Sequence, residues 1–427
     1  MWLISGYEIL QLAAPLPSHE ILKKQGKLCS WRPGHSRRVV LISHQWAGLR
    51  HPDPAFKQFT VLQQALRNLA AGKVKMQMDT ISAINGIELE MLSPEEQVNC
   101  SEWDFWYDYF ACPQITGTSH HPCEYSPEVT RLVQSIPAYC TIASFMLVLA
   151  PSIQHSDTGE VISQRTWHKR GWCRLERAAT AFSGNSKSIL IVSSETRLLV
   201  TASPDWVKGC PAEGDFTQET DRELVRAVTC RLMEIRCANF QRRGEQEKWR
   251  FYRALMPKAQ GTQGCQFGEE VGEFLHRYEL QTPACCFKPV LTPLILAALE
   301  GNLDVLRGLL DRSANVNQVV RWQLPEMHID GYHTALSLAA MLSTKEVVKT
   351  LLDWQASLDI VKNMNNPSVL SIAGYFGNDR VMKLLLDRGA SIRTCDEEGS
   401  GPLHVGAFSP NPRVTQLLLE NGADPNS

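Results

Sequence analysis

The stretch RGWCRLE at residues 170–176 contains an indole, a thiol and a carboxylate within about one turn of a predicted helix. If that helix begins near Gly171, Glu176 shares a face with Trp172 and Cys173, which precede it by four and three residues. The positive end of the helix dipole favours the ionised form of Glu176. A carboxylate can stabilise the oxocarbenium-like state through which a glycosidic bond breaks. The stretch therefore has the parts of an N-glycosidase.

The same helix also fits a purely structural role. Its apolar stripe consists of Trp172, Leu175, Ala179 and Phe182, and its basic stripe consists of Arg170, Arg174 and Arg177. A glutamate between two such stripes is common in any amphipathic helix. The spacing alone leaves both interpretations open.

Strand and helix patterns alternate around this stretch and must position it. The predicted strands cover residues 37–43, 104–110, 145–150 and 188–192, and the predicted helices cover residues 56–71, 127–143, 166–182 and 221–240. Strands that alternate with helices predict a parallel sheet covered on both faces. Ligands of such sheets bind outside the carboxyl ends of the strands.

Polar and aromatic side chains mark those strand ends. Ser43, His44 and Trp46 end or follow the first strand, and Asp108 lies near the end of the second. We expect Ser43 or His44 to contact phosphate or ribose, and Asp108 to orient a ribose hydroxyl. The alternatives are a strand-end histidine bonded to backbone and an aspartate that belongs to an aromatic-rich core segment.

These segments together resemble a TIR domain (Toll/interleukin-1 receptor type) over roughly residues 37–200. The resemblance rests on VVLISHQW, DYFACPQ, SIPAYCTIASFMLVLAP, RGWCRLE and SILIV, in this order. It implies a flavodoxin-like sheet of parallel strands. In enzymatic TIR domains the glutamate of W-C-x-x-E is catalytic in cleavage of the nicotinamide–ribose bond of NAD.

Carried onto this chain, the resemblance implies that Glu176 is the catalytic residue. It also implies that Trp172 stacks on the cofactor and that Ser43, His44, Trp46 and Asp108 line the pocket. NAD would be a substrate, and no resident cofactor is expected. Enzymatic TIR domains need self-association, so a homo-oligomer is expected as well. The alternative is a non-catalytic scaffold in which both regions bind proteins.

The last third of the chain repeats itself. Four segments align, TPLILAALEGNLDVLRGLLD from Thr292, TALSLAAMLSTKEVVKTLLD from Thr334, PSVLSIAGYFGNDRVMKLLLD from Pro367 and GPLHVGAFSPNPRVTQLLLE from Gly401. Each segment predicts two helices with one apolar face, which only stacking on neighbours can bury. The period of about 33 residues and the T-P-L opening resemble the ankyrin repeat, an all-α solenoid. The resemblance implies that a protein partner binds the array.

The first interval is longer than the others, and the extra residues fall between Trp322 and Tyr332. Ankyrin arrays carry finger loops at this place, so these residues are a candidate contact site. The alternative, to which we give equal weight, is that these residues are an inert insertion in an exposed loop.

The composition bounds the remaining possibilities. The 427 residues carry a net charge of −2, which gives no reason to expect nucleic acid or an acidic membrane surface as a partner. The 13 cysteines show no disulfide framework, so we expect reduced thiols and a cytoplasmic location. Cys112, His120, His121 and Cys123 match no common zinc spacing, and no metal site is predicted.

The predicted organisation has four parts. We expect an N-terminal extension over residues 1–36 and a TIR-like α/β domain over residues 37–204. A helical linker region over residues 205–289 would then lead to four ankyrin repeats over residues 290–427.

Overall fold

A computed structural model of the protein describes residues 1–425 except 85–88, 114–126, 184–187, 203–208, 264–267, 281–289, 325–328, 359–366, 396–398 and 410. The chain divides into two compact units, Met1–Leu232 and Met233–Ser427. No helix in the described ranges is both long and apolar enough to cross a bilayer.

The first unit is built around a mixed sheet. Its strands within the described residues are β1 (Trp2–Ser5), β2 (Leu28–Ser30), β3 (Val39–His44), β4 (Met76–Met78), β5 (Asp104–Tyr107), β6 (Phe145–Leu149), β9 (Ile189–Ser194) and β10 (Arg197–Thr201), while β7 (Ile153–Gln154) and β8 (Val161–Ile162) form a separate hairpin. The order across the sheet is β2-β1-β5-β3-β6-β9-β10-β4. Residues 2–5 and 28–30, predicted to belong to an N-terminal extension, are therefore strands of this sheet.

The centre of the sheet is parallel. Strand β3 pairs in parallel with β5 on one side and β6 on the other, and β6 pairs in parallel with β9. The second, first, third and fourth predicted strands thus lie side by side, an order compatible with a flavodoxin-like sheet. The outer strands differ from an all-parallel sheet, because β1 runs antiparallel to β5 and β10 runs antiparallel to β9.

Helices cover both faces of this sheet. They are α1 (Gly6–Gln11), α2 (His19–Lys24), α3 (Lys57–Ala70), α4 (Thr80–Ile84), α5 (Pro94–Val98), α6 (Asp108–Ala111), α7 (Pro127–Ile142), α8 (Gln164–Trp167), α9 (Gly171–Phe182) and α10 (Asp221–Arg242), with 3-10 turns at Cys100–Glu102 and Pro211–Glu213. Ile42 of β3 packs in one core with Phe59 of α3. Leu41 packs in a second core with Leu175 of α9 and Val228 of α10. Successive residues of β3 therefore serve opposite helix layers, as strand geometry requires.

The predicted helix over residues 166–182 is two helices in the structure. The break between α8 and α9 has a tertiary cause, a short bridge to the segment after residue 211. The Gly171 N–H donates to the Asp215 carbonyl at 3.0 Å, and the Asp215 N–H donates to the Lys169 carbonyl at 2.7 Å. In a continuous helix, the Gly171 N–H and the Lys169 carbonyl would form hydrogen bonds within the helix. Here they bind Asp215 instead.

Close approach of two glycines accompanies this bridge. A Cβ added to Gly214 would lie 2.5 Å from the Gly171 Cα and 2.6 Å from its backbone nitrogen. A Cβ added to Gly171 would meet the Phe216 ring. The start of α9 is thus held against the chain segment at Gly214, and only glycine fits at the contact.

Within its described residues, the second unit contains short helices followed by four helix pairs. Its helices after α10 are α11 (Gln246–Ala254), α12 (Met256–Gln260), α13 (Val271–Arg277), α14 (Pro293–Glu300), α15 (Leu303–Asp311), α16 (Ala335–Leu342), α17 (Lys345–Asp353), α18 (Val369–Tyr375), α19 (Asp379–Asp387), α20 (Pro402–Ala407) and α21 (Pro412–Glu420). Side-chain caps begin most helices of the pairs, although α17 and α20 begin without one. Thr292 accepts from the Ile295 N–H, and Asn302 accepts from the Val305 N–H. Asn378 caps α19 in the same way.

The long interval between the first two pairs forms a β-hairpin. Strand β11 (Val320–Leu324) runs antiparallel to β12 (Ile329–His333). Trp322 is buried, with its ring 5.8 Å from that of Phe251 in α11, whereas Tyr332 is exposed. One face of the predicted finger loop therefore belongs to the core of this unit, and the other face is open to solvent.

A buried ion pair joins α13 to the first helix pair. The Arg277 guanidinium donates to Glu300 at 2.8 Å and to Glu269 at 2.7 Å, and only 4% of the Glu300 surface is exposed. The Asn302 side chain also donates to Glu269, at 3.0 Å. Arg277 of α13 thus provides the positive charge that balances the buried Glu300 carboxylate of the first helix pair.

The glycine contact gives a stability prediction. Gly214→Ala should lower the free energy of unfolding of the first unit by roughly 1–3 kcal/mol, because the new methyl group overlaps backbone atoms that cannot rotate away. Chemical denaturation followed by tryptophan fluorescence measures this change. Gly272→Ala, in α13 of the second unit, is the control for an unhindered methyl group and should not lower stability, since a Cβ there meets nothing within 4 Å. Equal stability of the two variants would contradict the contact.

Candidate active site

The Ser43 hydroxyl connects the end of β3 to helix α9. Ser43 Oγ donates to Glu176 Oε2 at 2.5 Å. The Trp167 indole Nε1, at the end of α8, donates to the same Ser43 Oγ at 2.9 Å. The structure therefore brings Ser43 and Glu176 together at the carboxyl end of the central strand, and it adds Trp167 to them.

His44 and Asp108 form a second hydrogen-bonded group beside the first. His44 Nε2 lies 2.9 Å from Asp108 Oδ1, and the Trp46 indole donates to Asp108 Oδ2 at 2.8 Å. The His44 ring stacks on Tyr107 with 4.3 Å between ring centroids. The predicted strand over residues 104–110 ends earlier in the structure, because β5 stops at Tyr107 and Asp108 begins α6. Asp108 therefore lies at the strand end, where it binds His44 and Trp46.

Exposure divides the site residues into two sets. Ser43 and His44 are buried, with 0% and 7% of their surfaces exposed. Glu176, Asp108 and Trp46 are partly exposed. A ligand at this edge of the sheet would meet the second set, and Ser43 and His44 would hold Glu176 and Asp108 from behind.

Burial dominates the electrostatics of Glu176. It raises the pKa of Glu176 to about 7, and the nearby Asp108 charge adds to the rise, while the hydrogen bond from Ser43 and the His44 charge oppose it. The proton of Glu176 is therefore exchanged near neutral pH, as general acids and bases require.

His44 and Asp108 form an ion pair. Burial acts to lower the pKa of His44, but the charge and the hydrogen bond of Asp108 outweigh it, and the pKa is raised. Burial acts to raise the pKa of Asp108, but the charge of His44 and the hydrogen bonds from His44 and Trp46 outweigh it, and the pKa is lowered. Both directions favour a charged imidazolium beside a charged carboxylate.

Trp172 is not part of this cluster. Its indole donates to Asp221 Oδ2 at 2.7 Å, at the start of α10. Burial raises the pKa of Asp221 to about 6. Cys173 instead lies at the site, where its thiol donates to the His44 carbonyl at 3.5 Å. The stacking of Trp172 on a cofactor stays a prediction.

Trp167 is the site residue that sequence reasoning missed. It lies 124 residues from Ser43 in the chain, beyond the β7–β8 hairpin. The available signal was an aromatic residue at the start of the predicted helix over residues 166–182. Nothing in the spacing distinguishes this tryptophan from a core residue.

The candidate site residues line neither of two cavities elsewhere in the protein. The described part of the chain contains no group of three or more histidine, cysteine or acidic side chains that could hold a metal ion. His120, His121 and Cys123 lie outside the described residues. A cavity of about 690 Å³ lies in the second unit, near Trp249 and Arg277, and one of about 400 Å³ lies beside His19 in the first.

The raised pKa of Glu176 makes stability depend on pH. Between about pH 4.5 and 7 the folded state binds this proton more tightly than the unfolded chain does, so this residue costs stability as pH rises through that window. Glu176→Gln removes the cost. At pH 8 we expect this variant to be more stable than the wild type by about 1–2 kcal/mol, a range reduced for the partial exposure of Glu176.

Denaturant titrations at pH 5 and pH 8 measure this effect. The stability difference between Glu176→Gln and wild type should be largest at pH 8 and small at pH 5. The exposed Glu95 provides the matched control, Glu95→Gln, which should change little at either pH. A difference for Glu176→Gln that does not vary with pH would contradict the burial of its carboxylate.

Comparison with protein families identifies the C-terminal region. A model described as "Ankyrin repeat" matches residues 291–320, and one described as "Ankyrin repeats (3 copies)" matches residues 336–427. The two matches together account for the four helix pairs. No TIR model matches the chain.

Similar proteins each align over about a third of the chain. The E3 ubiquitin-protein ligase KEG of Arabidopsis thaliana is 34% identical over 135 residues, which are 30% of this chain and 8% of that protein. A transient receptor potential cation channel subfamily A member 1 homolog of Caenorhabditis elegans is 30% identical over 132 residues, 31% of this chain and 10% of the channel.

The nuclear factor NF-kappa-B p105 subunit of Rattus norvegicus is 29% identical over 136 residues, 31% of this chain and 14% of that subunit. The chain therefore spans a small part of the length of each of these relatives. The predicted ankyrin repeats are confirmed, and residues 291–320 and 336–427 form repeats of a kind that binds other proteins.

Proposed function

We propose that the first unit hydrolyses the nicotinamide–ribose bond of NAD and that the ankyrin repeats bind a protein partner. The observation that carries the enzymatic part is the Ser43–Glu176 hydrogen bond of 2.5 Å. It holds a partly exposed carboxylate at the carboxyl end of β3. That strand lies between β5 and β6, where the order of the parallel strands reverses and ligands of such sheets bind.

In this reaction the C–N bond between ribose and nicotinamide breaks, and its electron pair leaves with the nicotinamide ring. The ionised Glu176 would stabilise the positive charge that develops on the ribose. A water molecule adds to the same carbon and releases a proton to solvent. Asp108 would orient a ribose hydroxyl, because its carboxylate is ionised and partly exposed.

The remaining site residues support these two carboxylates. His44 neutralises part of the Asp108 charge, which limits repulsion between Asp108 and Glu176. Trp46 holds Asp108 through its indole N–H and offers a partly exposed ring to the substrate. Ser43 orients Glu176. Trp172 keeps its predicted stacking role only if its ring reaches the substrate while its N–H binds Asp221.

Self-association belongs to the same proposal. The TIR resemblance implies that copies of the chain assemble before they are active. A partner bound to the repeats would bring copies together and raise their local concentration. The assay therefore uses the full chain at high protein concentration.

Release of nicotinamide from NAD tests the proposal. We expect the wild type to release nicotinamide at a rate that rises with pH through about 7, because the ionised form of Glu176 is the active one. Glu176→Gln keeps the size of the side chain and should lower kcat about 100-fold or more, since it removes a charge from the reacting centre. Glu95→Gln should retain the wild-type rate.

Two results would contradict it. No release by the concentrated wild type would favour the non-catalytic scaffold. Equal release by the wild type and Glu176→Gln would remove Glu176 from the reaction.

A further inference from the structure

The Trp167 side chain is buried behind the candidate site and makes one polar contact there. Its surface is 2% exposed, and its indole N–H donates to Ser43 Oγ at 2.9 Å. An indole N–H is a donor only, so Trp167 cannot receive the hydroxyl proton of Ser43. Ser43 Oγ is therefore the acceptor in this contact.

The second contact of Ser43 then has a fixed direction. A serine hydroxyl has one proton and two acceptor positions. Trp167 fills one acceptor position, and an ionised Glu176 carboxylate can only accept. The proton of Ser43 thus goes to Glu176 Oε2, at 2.5 Å. A donor on one side of a hydroxyl also polarises its O–H bond and strengthens the bond that it donates.

We infer that Trp167 is a positioning residue for Glu176, because its indole N–H orients the Ser43 hydroxyl as a donor to the carboxylate that faces the strand ends. The catalytic meaning of this inference rests on the proposed function. The hydrogen-bond relay itself does not, since it can be measured without any substrate.

A competing acceptor lies close to Ser43. The Cys173 thiol approaches the Ser43 hydroxyl and donates its own proton to the His44 carbonyl at 3.5 Å. Sulfur is a weak acceptor compared with a carboxylate oxygen. Without the Trp167 N–H, the Ser43 hydroxyl would be held less firmly and could turn its proton toward Cys173. That movement would remove a hydrogen bond from the carboxylate and favour the protonated carboxyl.

Other groups also act on Glu176 and must stay constant in a test. They are Asp108 and His44 at the strand ends, the Cys112 and Cys173 thiols, and Cys140 of α7, whose thiol donates to the Glu176 backbone carbonyl at 3.6 Å. Trp167 shares one apolar core with Cys140 and Cys173, so a control variant must account for changes in packing. The hydrogen-bond route from Trp167 to Glu176 runs through Ser43.

The test is a carbon-13 NMR titration of the full chain labelled at glutamate side-chain carboxyls, with Glu176→Gln identifying the resonance. Trp167→Phe should raise the pKa of Glu176 by roughly 0.5 unit, and Ser43→Ala should raise it by roughly 1–2 units. The double variant should match Ser43→Ala alone, because Trp167 acts only through the hydroxyl.

Trp106→Phe is the matched control for the loss of indole volume. Trp106 is also 2% exposed, lies in the same core as Trp167 and has its ring centroid 5.6 Å from that of Tyr139. It should leave the pKa of Glu176 unchanged. An unchanged pKa in Trp167→Phe, or additive shifts in the double variant, would overturn the relay.

Nicotinamide release by the same variants separates the two proposals. If the wild type is active, Trp167→Phe should shift the pH–rate profile upward by the same amount as the measured pKa. An active variant with an unshifted profile would overturn the positioning role. A wild type that releases no nicotinamide, with the titration shifts present, would end the proposed function and leave the relay standing.

Discussion

Strand β3 is buried along its whole length, and this burial determines how the first unit is arranged around it. Parallel neighbours occupy both of its edges, and a helix layer covers each face. The first four residues of β3 are apolar and suit this buried position. The last two, Ser43 and His44, bring polar atoms into the interior of the protein. Buried polar atoms need partners. Glu176, Trp167 and Asp108 supply them, and the candidate site is the result.

Successive side chains of β3 point to opposite faces of the sheet, and this separates the partners of Ser43 from those of His44. Ser43 faces the layer of α9 and binds Glu176, whereas His44 faces the layer of α3 and binds Asp108. Two carboxylates from different parts of the chain thus meet at one strand end in different environments. One is ion-paired and stays charged, and the other is held by a neutral hydroxyl and exchanges its proton near neutral pH. Proteins commonly give two carboxyl groups different tasks by placing them in environments that separate their pKa values.

Much of this arrangement could be predicted from local patterns. The apolar run before Ser43 indicated a buried strand, and strand ends indicated where Ser43, His44, Trp46 and Asp108 would lie. The role of Glu176 beside them was implied by the TIR resemblance. The partners of each side chain could not be predicted, because they depend on contacts between distant segments. Trp172, to which the W-C-x-x-E pattern assigns a role at the site, binds Asp221, whereas Trp167, to which it assigns none, binds Ser43. The bridge between Gly171 and Asp215 breaks a helix that periodicity alone would continue. In the repeats, by contrast, contacts are between neighbours, and a 33-residue pattern was sufficient to predict the helix pairs.

The ion pair between Arg277 and Glu300 bears on where the repeat region can be cut from the chain. Glu300 ends the first helix of the first pair, and its carboxylate is almost completely buried. A fragment that begins at residue 290 would keep this carboxylate and lose both Arg277 and Glu269. The fragment would also lose helices α11, α12 and α13, which pack against the first pair, and so would expose apolar surface that they cover. A fragment designed to keep the first pair intact should therefore begin ahead of Glu269, well before the first repeat motif.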